Sequence, residues 1–138
     1  GIADPGNLGT MIRTADWFGM RGVLTTPGST DPWSSKCVQA SMGSVFRVPI
    51  AEIQPEDEAF LRSQQHYALD MKGEDYRKVT WKPGLIWIGS ESHGIATEGG
   101  PFEFDVVHIP RRGHAESLNA GIAGAIVCAE IARVWSPT

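Results

Sequence analysis

Three short segments hold most of the side chains in this sequence that could do chemistry. The densest is Ile109-Pro110-Arg111-Arg112-Gly113-His114-Ala115-Glu116-Ser117-Leu118-Asn119-Ala120-Gly121. It reads as a strand end, a polar loop turned by Gly113, and a helix start carrying Ser117 and Asn119. A helix start offers free backbone N–H groups and a partial positive charge, which suits a ligand. Spacing alone leaves Ser117 as a plain N-cap and Asn119 as a polar residue of the first turn. Arg111 and Arg112 can bind phosphate or stand solvated.

The second segment, Gly89-Ser90-Glu91-Ser92-His93-Gly94-Ile95, directly follows the apolar run Leu85-Ile86-Trp87-Ile88. In open α/β sheets, ligands sit beyond the carboxyl ends of strands. Gly89 and Gly94 permit close backbone approach. Glu91 can hydrogen-bond a ligand hydroxyl or fix the loop, and a polar turn is the plain alternative. Ser92 with Gly94 partly matches the nucleophile elbow of serine hydrolases. Ser90 replaces the first glycine of that pattern, and His93 is too close in sequence to act as the triad base.

The third segment is Asp4-Pro5-Gly6-Asn7-Leu8-Gly9-Thr10-Met11-Ile12-Arg13-Thr14-Ala15. Asn7 is read as a helix cap. Arg13 falls away from the apolar stripe of Leu8, Met11 and Ile12. Its two-pronged guanidinium can grip a phosphate or a carboxylate. A capped surface helix with a solvated arginine fits the same spacing.

The elements that position these segments alternate between apolar runs and helical patterns, which is the α/β signature. Leu8, Met11, Ile12, Ala15 and Phe18 predict a first helix, ended by Gly19 or Gly22. Residues 22–26 predict a strand. Asp31-Pro32 predicts an N-cap and first residue of a helix reaching Met42. A strand is expected over 45–49, and a helix with an acidic first turn after Pro55. Tyr67 to Met71 predicts a strand, Lys72 to Gly84 a loop. Strands are expected at 85–88 and 105–109. The last helix is expected over 117–134, with Leu118, Ile122, Ala125, Ile126 and Ala129 as its stripe. Each glycine inside that helix costs roughly 1 kcal/mol against alanine. Gly121 and Gly124 therefore imply a close-packed backbone or partner subunit.

The chain has 138 residues, enough for one domain with a full core. Hydrophobic residues make up 41% and charged residues 20%, as in an ordinary soluble domain. No apolar run approaches the roughly 20 residues that span a bilayer, and no signal peptide is expected. Cys37 and Cys128 are distant lone cysteines, which favours a reducing, cytoplasmic setting. His66, His93, His108 and His114 show no metal-ligand spacing with them, so no metal is expected. The net charge of −4 argues against a domain that wraps nucleic acid by charge alone.

Taken in order, the three segments resemble the three motifs of the SpoU-type RNA ribose 2′-O-methyltransferases of the SPOUT superfamily. The first resembles D-P-x-N-x-G-x-x-x-R-T-A. The second resembles a strand followed by G-x-E-x-x-G-[LI], and the third resembles I-P-M-x-G-x-x-x-S-L-N-V-S-x-A. Residues 34–49, with Lys36, Ser41 and Gly43, are similar to the family's connecting stretch. Two departures stand out: Arg111 replaces the usual Met, and Ala120-Gly121 replaces Val-Ser.

The resemblance implies a mostly parallel α/β sheet flanked by helices, with a C-terminal deep trefoil knot. It implies S-adenosylmethionine as cofactor, a homodimer, a ribosomal or transfer RNA substrate and no membrane association. The cofactor site it implies comprises Gly89, Ser90, Glu91, Gly94, Ile109, Pro110, Arg111, Gly113, Ser117, Leu118 and Asn119. The catalytic positions it implies are Asn7, Arg13, Glu91, Ser117 and Asn119. RNA contacts are expected from Arg13, Lys36, Arg47, Arg111 and Arg112. Residues 1–138 are expected to form a single catalytic domain lacking upstream sequence: a first strand, and in many members an RNA-binding domain. A non-catalytic RNA-binding member of the same fold is the alternative.

Overall fold

A computed structural model describes residues 4–89 and 100–135. It is mixed α/β, with parallel sheets and flanking helices, in two compact units. One comprises the described residues up to Ile53 together with those from Ala120, and the other runs from Gln54 to Asn119.

The first unit opens with α1 (Pro5–Trp17). Asp4 caps it, its Oδ1 accepting from the Gly6 N–H at 2.8 Å, with Pro5 in the first turn. The expected cap, Asn7, is instead inside the helix, because Asp4 precedes the proline that sets the helical φ. Gly19, at φ +70°, follows the helix end as expected. The buried face of α1 is Leu8, Gly9, Ile12 and Ala15. It meets Cys37, Val45 and Val48 in one core, with Met20, Val23, Val38 and Ile50 packed around it. Gly9 belongs to this face for a steric reason. A Cβ there would lie 2.6 Å from both the Ala40 Cβ and the Cys37 carbonyl oxygen.

β1 (Val23–Thr25) pairs in parallel with β2 (Ile50–Glu52), Val23 opposite Ile50. The strand expected at 45–49 is replaced by a 3-10 turn at Ser44–Phe46. Met42 and Gly43 both take left-handed φ, and Ser41 Oγ accepts from the Val45 N–H. That reversal sends Val45 and Val48 into the core from a turn, and pairing starts only after Pro49. α2 (Ser35–Ser41) also starts later than expected. Asp31 Oδ1 closes a local turn on the Trp33 N–H at 2.9 Å, so Ser34 caps the helix.

α4 (Ala120–Trp135) packs on α1. It begins three residues after the expected Ser117, and residues 111–119 are exposed and non-helical. Its buried face is Ala120, Gly121, Gly124, Val127 and Ile131. The expected stripe is therefore on the wrong side, with Leu118 and Ile122 exposed. Helix contact at the start of α4 selects Ala120, Gly121 and Gly124, whereas the periodicity pointed to Leu118 and Ile122. Burial pushes the Cys128 thiol up to about 11, and Cys37 is raised by burial and by the charge of Asp31. Both thiols are expected to react slowly with a disulfide reagent at pH 8 and quickly once urea unfolds the chain.

The second unit holds α3 (Glu58–Arg62) and a three-stranded parallel sheet, β4 (Gly84–Trp87), β3 (Gln65–Asp75), β5 (Asp105–His108), in that spatial order. β3 runs well past Met71 into the expected loop. It kinks there: Leu69 and Glu74 both pair with Val107, so residues 70–73 bulge out. Gly73 makes the kink possible, since any Cβ would collide with the Val106 carbonyl. At the end of β3, Asp75 accepts from Arg77 Nη2 at 2.7 Å and from the Arg77 N–H at 3.0 Å.

Those Arg77 bonds, the side-chain ones first, lower the Asp75 pKa from 3.8 to about 2. A depressed carboxylate adds stability at any pH above its ordinary range, and the contribution fades as pH falls through the folded value. A carboxyl-carbon NMR titration should place the Asp75 midpoint near 2. In Arg77→Ala the midpoint should return toward 3.8.

His66 anchors an aromatic cluster between β3 and β4. Trp87 Nε1 donates to its Nδ1 at 2.9 Å, so Nε2 is left to donate to the Leu61 carbonyl at 2.6 Å. Phe102 stacks on the ring at a 4.6 Å centroid separation.

Candidate active site

In the second unit, β4 and β5 flank β3 and run parallel to it. Their carboxyl ends therefore open on one edge of the sheet, where a ligand crevice is expected. Gly89 follows β4 there. Ser90, Glu91, Ser92, His93 and Gly94 lie outside the described residues. After β5, Ile109 and Pro110 are half-buried, and residues 111–119 run exposed to the start of α4. This stretch puts Arg111, Gly113, Ser117, Leu118 and Asn119 on one uninterrupted segment. Ser117 is not the N-cap expected, because helical backbone begins only at Ala120. Arg111 folds back, its Nη1 donating to the Ala115 carbonyl at 3.2 Å, and so braces its own loop. The chain bends at Gly113 and His114 as expected, but with no positive φ and no neighbour within 4 Å of an added Cβ the bend does not require glycine. Arg112 is exposed. Among the described residues, no group of three or more His, Cys, Asp or Glu could hold a metal ion. No described helix is long and apolar enough to cross a membrane.

In the first unit, Asn7 sits in the first turn of α1 and Arg13 further along it. Arg13 is exposed and has no hydrogen-bond or ion-pair partner among the described residues. It lines a shallow groove of about 240 Å³ with Thr10, Thr14, Trp17 and Phe18. The arginine expected beside it as an RNA contact, Arg47, is differently placed. Its Nε donates to Asp16 Oδ2 at 2.9 Å, and Ser44 Oγ donates to the same oxygen at 2.8 Å. Ser44 first and then Arg47 hold the Asp16 carboxyl below its ordinary range. Lys36 is exposed on α2. The sequence reading overlooked Trp17 and Asp16. A signal existed for Trp17: it stands four residues after Arg13 and off the apolar stripe.

The sequence profile of the SpoU rRNA Methylase family matches residues 1–129. A 23S rRNA guanosine 2′-O-methyltransferase of Bacillus subtilis is 31% identical over 131 residues, 91% of this chain and 53% of the relative. The chain spans about half the length of such curated relatives. Among solved structures, the AdoMet-bound rRNA methyltransferase of Sinorhizobium meliloti superposes with a TM-score of 0.86 at 38% identity, over 99% of this chain and 54% of that one. AviRb, the SpoU methyltransferase of Streptomyces viridochromogenes in complex with AdoMet, gives 0.83 at 28% identity, over 96% and 56%. With the profile matched from Gly1 to Ala129, the chain belongs to the SpoU rRNA Methylase family.

Proposed function

We propose that this chain is the catalytic domain of an RNA methyltransferase that moves a methyl group from S-adenosylmethionine to a ribose 2′-hydroxyl. The observation that supports the reading is that β4 and β5 flank β3 in parallel, so the chain leaves both strands at the same end of the sheet, where the second and third motif segments begin. The exposed stretch of residues 111–118 fits a nucleoside-bearing cofactor, its backbone donors and acceptors not consumed by helix or sheet. Gly89, Ser90, Glu91, Gly94, Ile109, Pro110, Arg111, Gly113, Ser117, Leu118 and Asn119 would hold it. When bound, the sulfonium supplies an electrophilic methyl group.

The chain's own residues have two tasks. One is to hold the RNA. Arg13, without a partner among the described residues, grips the phosphate beside the target ribose and stabilises the alkoxide as it forms. The other is to take the hydroxyl proton. Arginine, with a pKa above about 12, is unsuited to that step, and Ser117 or a water relays the proton. Asn7, Glu91 and Asn119 orient the reacting groups. Much of the rate comes from holding the hydroxyl in line with the methyl.

The resemblance also carries a knotted C-terminal part and a homodimer. The exposed Ile122, Val134 and Trp135 on α4 support a subunit contact there. Titration calorimetry with S-adenosylmethionine, S-adenosylhomocysteine and ATP tests the cofactor site. Binding of the first two and not ATP is expected. Absence of binding in a folded dimeric sample would contradict the reading.

A further inference from the structure

Trp17 is the most exposed of the large hydrophobic residues among the described ones, at 84%. It lies opposite the buried face of Leu8, Gly9, Ile12 and Ala15, one turn beyond Arg13 on the same side of α1. Its ring stacks on no other among the described residues. An indole left in water forfeits the burial of a large apolar surface. The groove it shares with Arg13 is lined by two hydroxyls, from Thr10 and Thr14, and by Phe18. Among the described residues no acid lines it, and the neighbouring Asp16 is taken up by Ser44 and Arg47.

A forked cation, hydroxyls and an open aromatic face match one nucleotide unit. The phosphate pairs with the guanidinium and the base stacks on the indole. A protein partner covering Trp17 would have to bury Arg13 without an acid from this face to pair it. One helical turn, about 5.4 Å, separates the two residues, within the reach of a single nucleotide.

We propose that the Thr10–Phe18 face of α1 is an RNA subsite, in which Trp17 stacks on an unpaired base next to the phosphate held by Arg13. The inference rests on the methyltransferase reading for its class of substrate. Trp17 is then a positioning residue that favours targets with a splayed-out base beside the methylated ribose.

The test compares Trp17→Ala and Trp17→Phe with the wild-type protein on unmodified ribosomal RNA transcripts at fixed salt. Removal of a stacking aromatic is expected to weaken RNA binding by about 5- to 150-fold. The loss should appear mainly in KM, and phenylalanine should restore most of it. The salt dependence should not change, because no phosphate contact is removed. S-adenosylmethionine affinity and the sedimentation coefficient should stay at wild-type values. Wild-type RNA affinity in Trp17→Ala overturns the subsite, as does a loss that phenylalanine does not rescue. A change in sedimentation overturns it too, and identifies the face as a subunit contact. Stacking loss in a protein that binds no S-adenosylmethionine supports the subsite and refutes the enzyme reading.

Discussion

Arg13→Ala is expected to lower methyl transfer by about 10²- to 10³-fold, the scale for removing one preorganised charge-stabilising donor. Cofactor affinity should be unchanged, because the role given to Arg13 lies on the RNA side. Stability should move by less than about 0.5 kcal/mol, since the side chain is exposed and has no partner among the described residues. Arg13→Lys should recover only part of the loss, because an ammonium cannot reproduce the fork. Single-turnover assays beside calorimetric titrations separate these effects. A collapse of cofactor affinity in Arg13→Ala would show that the arginine holds the cofactor and not the RNA.

The second large effect is structural. Gly9→Ala should destabilise the first unit by about 1–3 kcal/mol, the range for overpacking. The upper end is expected, because one of the two atoms at 2.6 Å is the backbone carbonyl oxygen of Cys37, which cannot rotate away. α1 and α2 would have to part, loosening the core around Ile12, Cys37 and Val45. Urea unfolding should show a lower midpoint with an unchanged slope. An unchanged midpoint would mean that the two helices slide apart without loss. A lowered midpoint would also assign the motif glycine to helix packing and not to ligand approach.

The fold was legible where local chemistry and periodicity agreed. β4 and β5 lie within a residue of their expected bounds, and α1 stops just before Gly19 as expected, although it starts at Pro5 and not after Asn7. It was illegible where long-range contacts override local signals. Asp31 looked like a helix cap and closes a turn instead. Val45 and Val48 looked like strand residues, yet a left-handed reversal delivers them to the core. The extension of β3 through Asp75 depends on pairing with Val107 and His108, some 33 residues away in sequence. The α4 stripe failed because contact with α1 favours Gly121 and Gly124 over Ile122.

The site was legible as residue types in order, since the motif segments carry their identity in sequence. Their setting was less so. Nothing in the spacing of Ser117 and Asn119 distinguishes a helix start from the extended stretch that precedes Ala120. Arg47 and Arg13 read alike in sequence, and only the structure shows Arg47 paired with Asp16 while Arg13 has no partner among the described residues.

The most direct test of methyl transfer to a ribose hydroxyl uses radiolabelled S-adenosylmethionine and unmodified bulk RNA. The RNA is then hydrolysed in alkali. Alkaline cleavage needs a free 2′-hydroxyl, so a 2′-O-methylated nucleotide stays joined to its neighbour. The account predicts that the label is recovered in alkali-resistant dinucleotides. Label recovered in mononucleotides, as base methylation would leave it, or no label in RNA from a protein that binds the cofactor, would contradict it.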